Sequence, residues 1–406
     1  MTDPGAHLAH AELAEKLYAA LLSEIPGAVA LRHAVHADPR LSGLEQDTRD
    51  LLVHALDAGP AEPVAETGAL VRVGPATGPC VAVRTELDAL PVVEATGVDW
   101  ASPGAVMHAC GHDVHMAGLV AFVRAAAAVG VDVPVLAVMQ PREEVPRSGA
   151  IDLVASGSLH RHDVRAVIGA HVQPRVAAGV IAVKPGATNA AADQFDVVIS
   201  GRGGHGGYPH TTADPVLALA AVVVALQQVV SRRVDPVAGA VCTFGRLDAG
   251  SAFNVIPDTA RAGGSLRSMD DNEQERLRGV VRSIAEHTAA AHGCSARVDF
   301  SPADPVLRNH PGLATATAAR LRELGVAVDT GFRSFGADDF AHYCPVFPSV
   351  MTFVGTATGL AAGPSIGSEH VPGLHHPRFL PSDDTVGEVG VAFLAGYLAA
   401  RSMIAA

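Results

Sequence analysis

The sequence predicts an α/β fold in which a discontinuous domain, residues 1–189 and 301–406, is interrupted by a small ferredoxin-like β-α-β-β-α-β unit at residues 190–300. Three observations carry this. Short apolar runs alternate with helical stretches up to Ala170, a second series with different patterning begins near Ala191, and 406 residues exceed what one ordinary core organises.

At the N-terminus Leu13, Leu17, Ala20 and Leu21 form one helical stripe, and a second helical stretch is expected after Pro26. Cys80 to Val83, Val133 to Met139 and Ala166 to Ala170 are apolar runs of buried-strand type. An alanine-rich helix from about Val114 to Val129 lies between the first two, the pattern of a largely parallel sheet. From Ala191, QFDVVISG alternates as a half-buried strand, and DPVLALAAVVVALQQVV reads as a buried helix with Pro215 in its first turn. GAVCTFGRL and TARAGGSLRS are two further strands. Asp271, three residues ahead of Gln274, reads as the cap of a helix striped by Leu277, Val280, Val281 and Ile284 and ended at Gly293, before a last strand, CSARVDF. In order this is a split β-α-β unit.

A formal charge of -13 supplies no basic footprint for nucleic acid, so that class is discarded. The longest apolar run, Pro215 to Leu226, falls short of the ~20 residues that span a bilayer, and the N-terminus lacks the order of a secretion signal. No membrane partner is expected, and a cytoplasmic location is. The five cysteines are odd in number and dispersed, which reads as reduced thiols.

Chemistry-bearing residues recur at the ends of these runs. Cys110 and His112, with Asp113 following, can both bind a borderline-soft divalent ion such as zinc. The run ending at Gln140-Pro141 is followed by Glu143 and Glu144, and strand ends are where open α/β sheets place their sites. Of two carboxylates beside a cation, one can ligate it while the other takes a proton from water. His171 ends another apolar run, and His375 and His376 lie in a loop bounded by glycine and proline. Each has a plain alternative: a packed cysteine, a surface acid pair, a structural histidine. Together they make up the donor set of a two-metal hydrolase.

At these residues the chain resembles the aminoacylase-carboxypeptidase superfamily of metallohydrolases, in the branch of hippurate hydrolase, indoleacetyl-amino-acid hydrolase and N-acetyl-diaminopimelate deacetylase. The likeness runs nearly end to end through LRHAVHADPRLSGLEQDT, VAVRTELDALPVVEATG, MHACGHDVH, QPREE, GAHVQP, GRGGHGGYPH, FNVIPD and LHHPRF. It implies that Cys110, His112, Glu144, His171 and His375 bind two divalent ions, zinc or manganese with cobalt also admitted, and that Cys110 bridges them. It implies further that Glu143 is the general acid/base, that Asp88 and Asp113 orient the ligands, and that the inserted unit is a lid and homodimerisation domain. His205 would reach an active site across the dimer to stabilise an oxyanion, and Asn254 and Arg267 would hold the polar end of a small-molecule substrate. Within the inserted unit, Arg267 has the alternative of an internal partner.

Three departures stand out. Glu86 replaces the usual aspartate two residues before Asp88, Val145-Pro146-Arg147-Ser148 replaces a glycine-rich stretch, and Asp338-Asp339 stands where Glu-Asp is usual. The expected activity is hydrolysis of an N-acyl amino acid or related N-acyl compound. The alternatives are a dipeptidase or carboxypeptidase on the same scaffold, an enzyme using Cys110 as nucleophile, and a catalytically silent metal-bearing binding protein.

Overall fold

The computed structural model describes residues 4–302, 304–358 and 372–404, in two compact units. The first draws on the chain up to Gly186, on Arg308–Phe332 and on the chain from His342 onward; the second is Ala187–Leu307 with Arg333–Ala341.

The first unit is built on an eight-stranded sheet in the order Ala61–Val64, Gly68–Val73, Val135–Gln140, Cys80–Glu86, Val164–Ala177, Ser349–Ala357, Val180–Ala182, Ala327–Asp329. Its four central members run parallel. The Cys80–Glu86 and Val135–Gln140 strands are buried along their whole length; the apolar runs Cys80 to Val83 and Val135 to Met139 suit a sheet covered on both faces, and Arg84 and Glu86 are buried as a pair. Helices Pro4–Ala37, His112–Val129 and Asp384–Ile404 pack together in the same core. At Gly118 the last of these comes so near that a Cβ would sit 2.5 Å from Val389 Cγ1.

The second unit carries the four-stranded antiparallel sheet Ala240–Ala249, Thr259–Ser268, Ala191–Ser200, Ser295–Pro302, with helices Pro215–Leu226 and Asp271–Ala291 packed on it. Along the chain the order is β-α-β-β-α-β.

Several local expectations need correcting. Pro4–Ala37 is one helix that runs through Pro26. A proline there removes the bond to the Leu22 carbonyl, and Leu22 is half exposed, so water can take the missing donor's place. The cap of Asp271–Ala291 is Asp270, whose carboxylate accepts from the backbone N–H groups of Asn272 and Glu273, while Asp271 accepts from Val306. The Pro215–Leu226 helix is buried on one face only. Ala218, Leu219, Val222 and Leu226 face the sheet, whereas Leu217 and Val224 are 58% and 73% exposed. Together with the short helix Gln228–Arg233 it is a 19-residue stretch long and apolar enough, by length and composition only, to cross a membrane, a test that core helices also pass. Finally, Arg333–Ala341 groups with the second unit. Ala190 donates to the Ser334 carbonyl, Arg267 donates to the Phe335 carbonyl, and the Phe335 ring lies over Gly239.

Candidate active site

Six of the singled-out side chains meet in the first unit, His171 from within the Val164–Ala177 strand and the other five from segments that follow strands of the sheet. Cys110 Sγ lies 3.5 Å from His171 Nε2. His112 Nε2 lies 3.9 Å from both Glu143 Oε2 and Glu144 Oε1, and His375 Nε2 lies 3.5 Å from Glu144 Oε1. The donor atoms fall into three trios, each with members within 4.8 Å of one another: Cys110, His112 and His171; Cys110, Glu144 and His375; His112, Glu143 and Glu144.

Local structure aims these groups inward. Gly111 turns the chain between Cys110 and His112 at φ +83°, and a Cβ there would meet Val172 Cγ2 at 2.5 Å. His112 Nδ1–H donates to the Asp88 carbonyl at 2.8 Å and His171 Nδ1–H donates to the Val172 carbonyl at 2.7 Å, which leaves each Nε2 directed at the cluster. Metal-ligating histidines are held in this way. His112 Nε2 and Glu144 Oε1 are buried and without a hydrogen-bond partner among the described residues, an arrangement that calls for a further group. A thiol, imidazole nitrogens and carboxylates in this grouping suit divalent ions of the zinc class.

The acid pair sits on a tight excursion of the chain. Gly149 N–H closes its base on the Arg142 carbonyl at 3.1 Å, with Arg142 and Arg147 in the left-handed region. Asp88, fully buried, accepts from the backbone N–H of Glu143 at 3.1 Å, from that of Glu144 at 2.9 Å and from Ser42 Oγ at 2.6 Å. Arg142 N–H donates to the buried Glu45 carboxylate. His375 has φ +66°, costly for a side chain at Cβ, and its N–H is tied to the Ala109 carbonyl at 2.8 Å, one residue from Cys110.

Charge placement follows. Burial holds the His112 ring below its ordinary pKa, partly offset by Glu144 and Asp88. Burial pushes Glu144 up, but the His375 imidazole 3.5 Å away and the nearby His112 outweigh it and keep the carboxyl below its usual value; the same proximity raises His375. Asp113 is buried, which alone would raise its pKa, yet Arg32 and His36 hold it well below the usual range.

Two features escaped the sequence reading. His115 donates from Nδ1 to Glu86 Oε2 at 2.9 Å and accepts from Val172 N–H at Nε2, also at 2.9 Å, so both nitrogens are spent and the ring is a strut between strand ends. Glu86 also pairs with the buried Arg84. Spacing held the signal, since residues 112 and 115 share a helical face. The second is a network around Asp113, where Arg32 Nε and His36 Nδ1 each lie 3.0 Å from Oδ2.

The remaining candidates belong to the second unit. His205 is exposed on a two-residue strand paired with Val255–Ile256, its Nδ1 accepts from Gly207 N–H at 3.0 Å, and Tyr208 packs on its ring. The Asn254 carbonyl accepts from Gly206 N–H at 2.8 Å. Arg267 donates to the Phe335 carbonyl at 2.7 Å, so it has a partner inside this unit. Asp338 and Asp339 are buried there. All five cysteines are free thiols.

Residues 82–398 match the family model described as peptidase family M20/M25/M40. The chain belongs to this family. It is 32% identical over 387 residues, 93% of this chain and 96% of the relative, to N-acetylcysteine deacetylase of Bacillus subtilis, and 33% identical over 335 residues, 81% and 80%, to N-acetyl-L-cysteine deacetylase of the same organism. Among solved structures it is similar to the Bacillus subtilis YxeP protein, described as a dinuclear metal binding peptidase from the M20 family, with TM-score 0.78, 27% identity and coverage of 94% of this chain and 98% of that one. This M20-family chain is a metal-dependent amidohydrolase acting on a small-molecule amide, with candidate metal-binding groups gathered in its first unit. Its fold is the mixed α/β fold of the family.

Proposed function

We propose that the chain hydrolyses small N-acyl amino acids, with one divalent ion held by Cys110, His112 and His171 and a second by Cys110, Glu144 and His375. The observation that carries this is the pair of donor trios sharing Cys110, beside the unpartnered His112 Nε2 and Glu144 Oε1. The thiolate favours zinc, with manganese the other candidate. When bound, such ions bring the pKa of water toward about 7 and polarise a carbonyl.

Glu143 is the general acid/base. Its carboxylate takes the proton of the attacking water and delivers it to the departing amine nitrogen, and Asp88 positions it by gripping its backbone N–H. Asp113 steadies the first turn of the His112 helix through Arg32 and His36. His205, donated by a second copy of the chain, stabilises the oxyanion, and Asn254 and Arg267 take the carboxylate of the amino-acid part. The dimer forms through the second unit, a reading supported by its exposed apolar side chains Leu217, Val224, Leu247 and Phe253.

The test pairs Glu143→Ala with a panel of N-acetyl amino acids, N-acetylcysteine included, N-benzoyl amino acids and free dipeptides. Wild type should turn over the acyl amino acids, lose activity on chelation and regain it with zinc, manganese or cobalt. The variant should keep both ions and lose roughly 100- to 10,000-fold in kcat. Full activity in Glu143→Ala rejects this role, and preference for dipeptides assigns a dipeptidase instead.

A further inference from the structure

Arg32 lies on the first helix, distant in sequence from every site residue, and its guanidinium is completely buried. All three of its nitrogens are engaged. Nε donates to Asp113 Oδ2 at 3.0 Å, Nη1 to Asp383 Oδ1 at 2.8 Å and Nη2 to the Pro381 carbonyl at 2.7 Å, and Trp100 covers the group at 5.3 Å. One acceptor adjoins His112, and the other two end the loop that carries His375. Buried ion pairs are weak sources of stability compared with apolar packing, whereas a planar fork fixes geometry among several acceptors.

The His375 loop needs such a device. Described residues 372–383 lie in turns and extended chain rather than in a helix or strand, and His375 itself is held in the left-handed region, which persists only where the surroundings over-determine it. Its beginning is tied by His375 N–H to Ala109, and its middle by Ala95 N–H to the Pro377 carbonyl. The far end has Arg32 and, on Asp383, His33 at 3.0 Å. On the other side, Asp113 Oδ1 has no partner among the described residues, so Arg32 and His36 are what grip that carboxylate.

We infer that Arg32 is a positioning residue for metal binding, a single fork that sets the His112 turn and the His375 loop at the spacing two ions require. This rests on the ligand assignment proposed above. A lysine at this place keeps the charge but cannot serve three acceptors in one plane, so it should not rescue the function.

The experiment measures zinc affinity of full-length protein by competition with a chromophoric chelator, together with the melting temperature of the metal-free form. Arg32→Lys should bind zinc about 10- to 100-fold more weakly than wild type, the loss typical of groups that orient metal ligands. Asp383→Asn, at a half-exposed carboxylate, should shift affinity in the same direction by less. A purely structural role would lower the melting temperature and leave the affinity of the folded protein unchanged. Affinities within twofold of wild type in Asp383→Asn and in any folded Arg32→Lys overturn the inference while leaving the ligand assignment intact. A wild type that binds no zinc or manganese overturns both.

Discussion

Asp88 is the position at which the proposed division of labour in the acid pair can be measured. Its two carboxylate oxygens serve separate donors, Oδ1 the backbone of Glu143 and Oδ2 that of Glu144 together with Ser42, and the side chain is wholly buried. Asp88→Asn preserves size and leaves one oxygen, so one backbone N–H must face an amide N–H instead. A hydrogen bond to a charged group contributes about 1.5–3 kcal/mol. If that loss falls on the alignment of Glu143, kcat/KM should drop roughly 10- to 150-fold, at about 1.4 kcal/mol per tenfold. His112 bonds to the Asp88 backbone carbonyl, which the substitution keeps, so the ion on the His112 side should stay. The assay is steady-state hydrolysis of the preferred N-acyl amino acid alongside metal content by mass spectrometry. A variant within twofold of wild type in kcat/KM, with both ions present, would refute the claim that Asp88 positions the pair.

Two further outcomes follow from the same geometry. Gly111→Ala forces a Cβ onto Val172 at a left-handed position and should cost about 1–3 kcal/mol of stability, read from urea denaturation of the metal-free protein. Burial alone would lower His36, but Asp113 and then Glu94 raise it overall, with Arg32 and His108 also close by. The folded-state pKa therefore lies above the unfolded value of ~6.5. Protonation stabilises the native state, so this contribution is fully present below pH ~6.5 and is lost as pH rises through the higher folded value. Melting temperatures of the metal-free wild type, minus those of His36→Gln, should decline across that window; a flat difference removes His36 as the cause.

What could be read in the sequence was local. Cys110 and His112 share one turn, Glu143 and Glu144 are adjacent beyond a strand, and His171 lies within another, so apolar runs and neighbouring side chains were enough to flag them. The βαββαβ order followed from patterning for the same reason: each element buries its own stripe. Errors arose where a group answers to something outside its segment. Pro26 is tolerated where Leu22, whose carbonyl it leaves without a donor, is half exposed and within reach of water, the cap moved by one because Asp271 is drawn to Val306, and Arg333–Ala341 follows Arg267 and Gly239 rather than its chain neighbours. The groups that hold the site were hidden in the same way. Arg32, His36 and Glu94 reach Asp113 or one another across long separations in sequence, and no periodicity marks an arginine as buried. The inventory of donor atoms is therefore a local property of this chain, while the rigidity that lets those atoms act on a metal is a property of its tertiary contacts. Glu86 illustrates the difference: the sequence shows only a side chain longer than the family's aspartate, whereas in the structure its carboxylate accepts from His115 Nδ1–H at 2.9 Å and pairs with the buried Arg84.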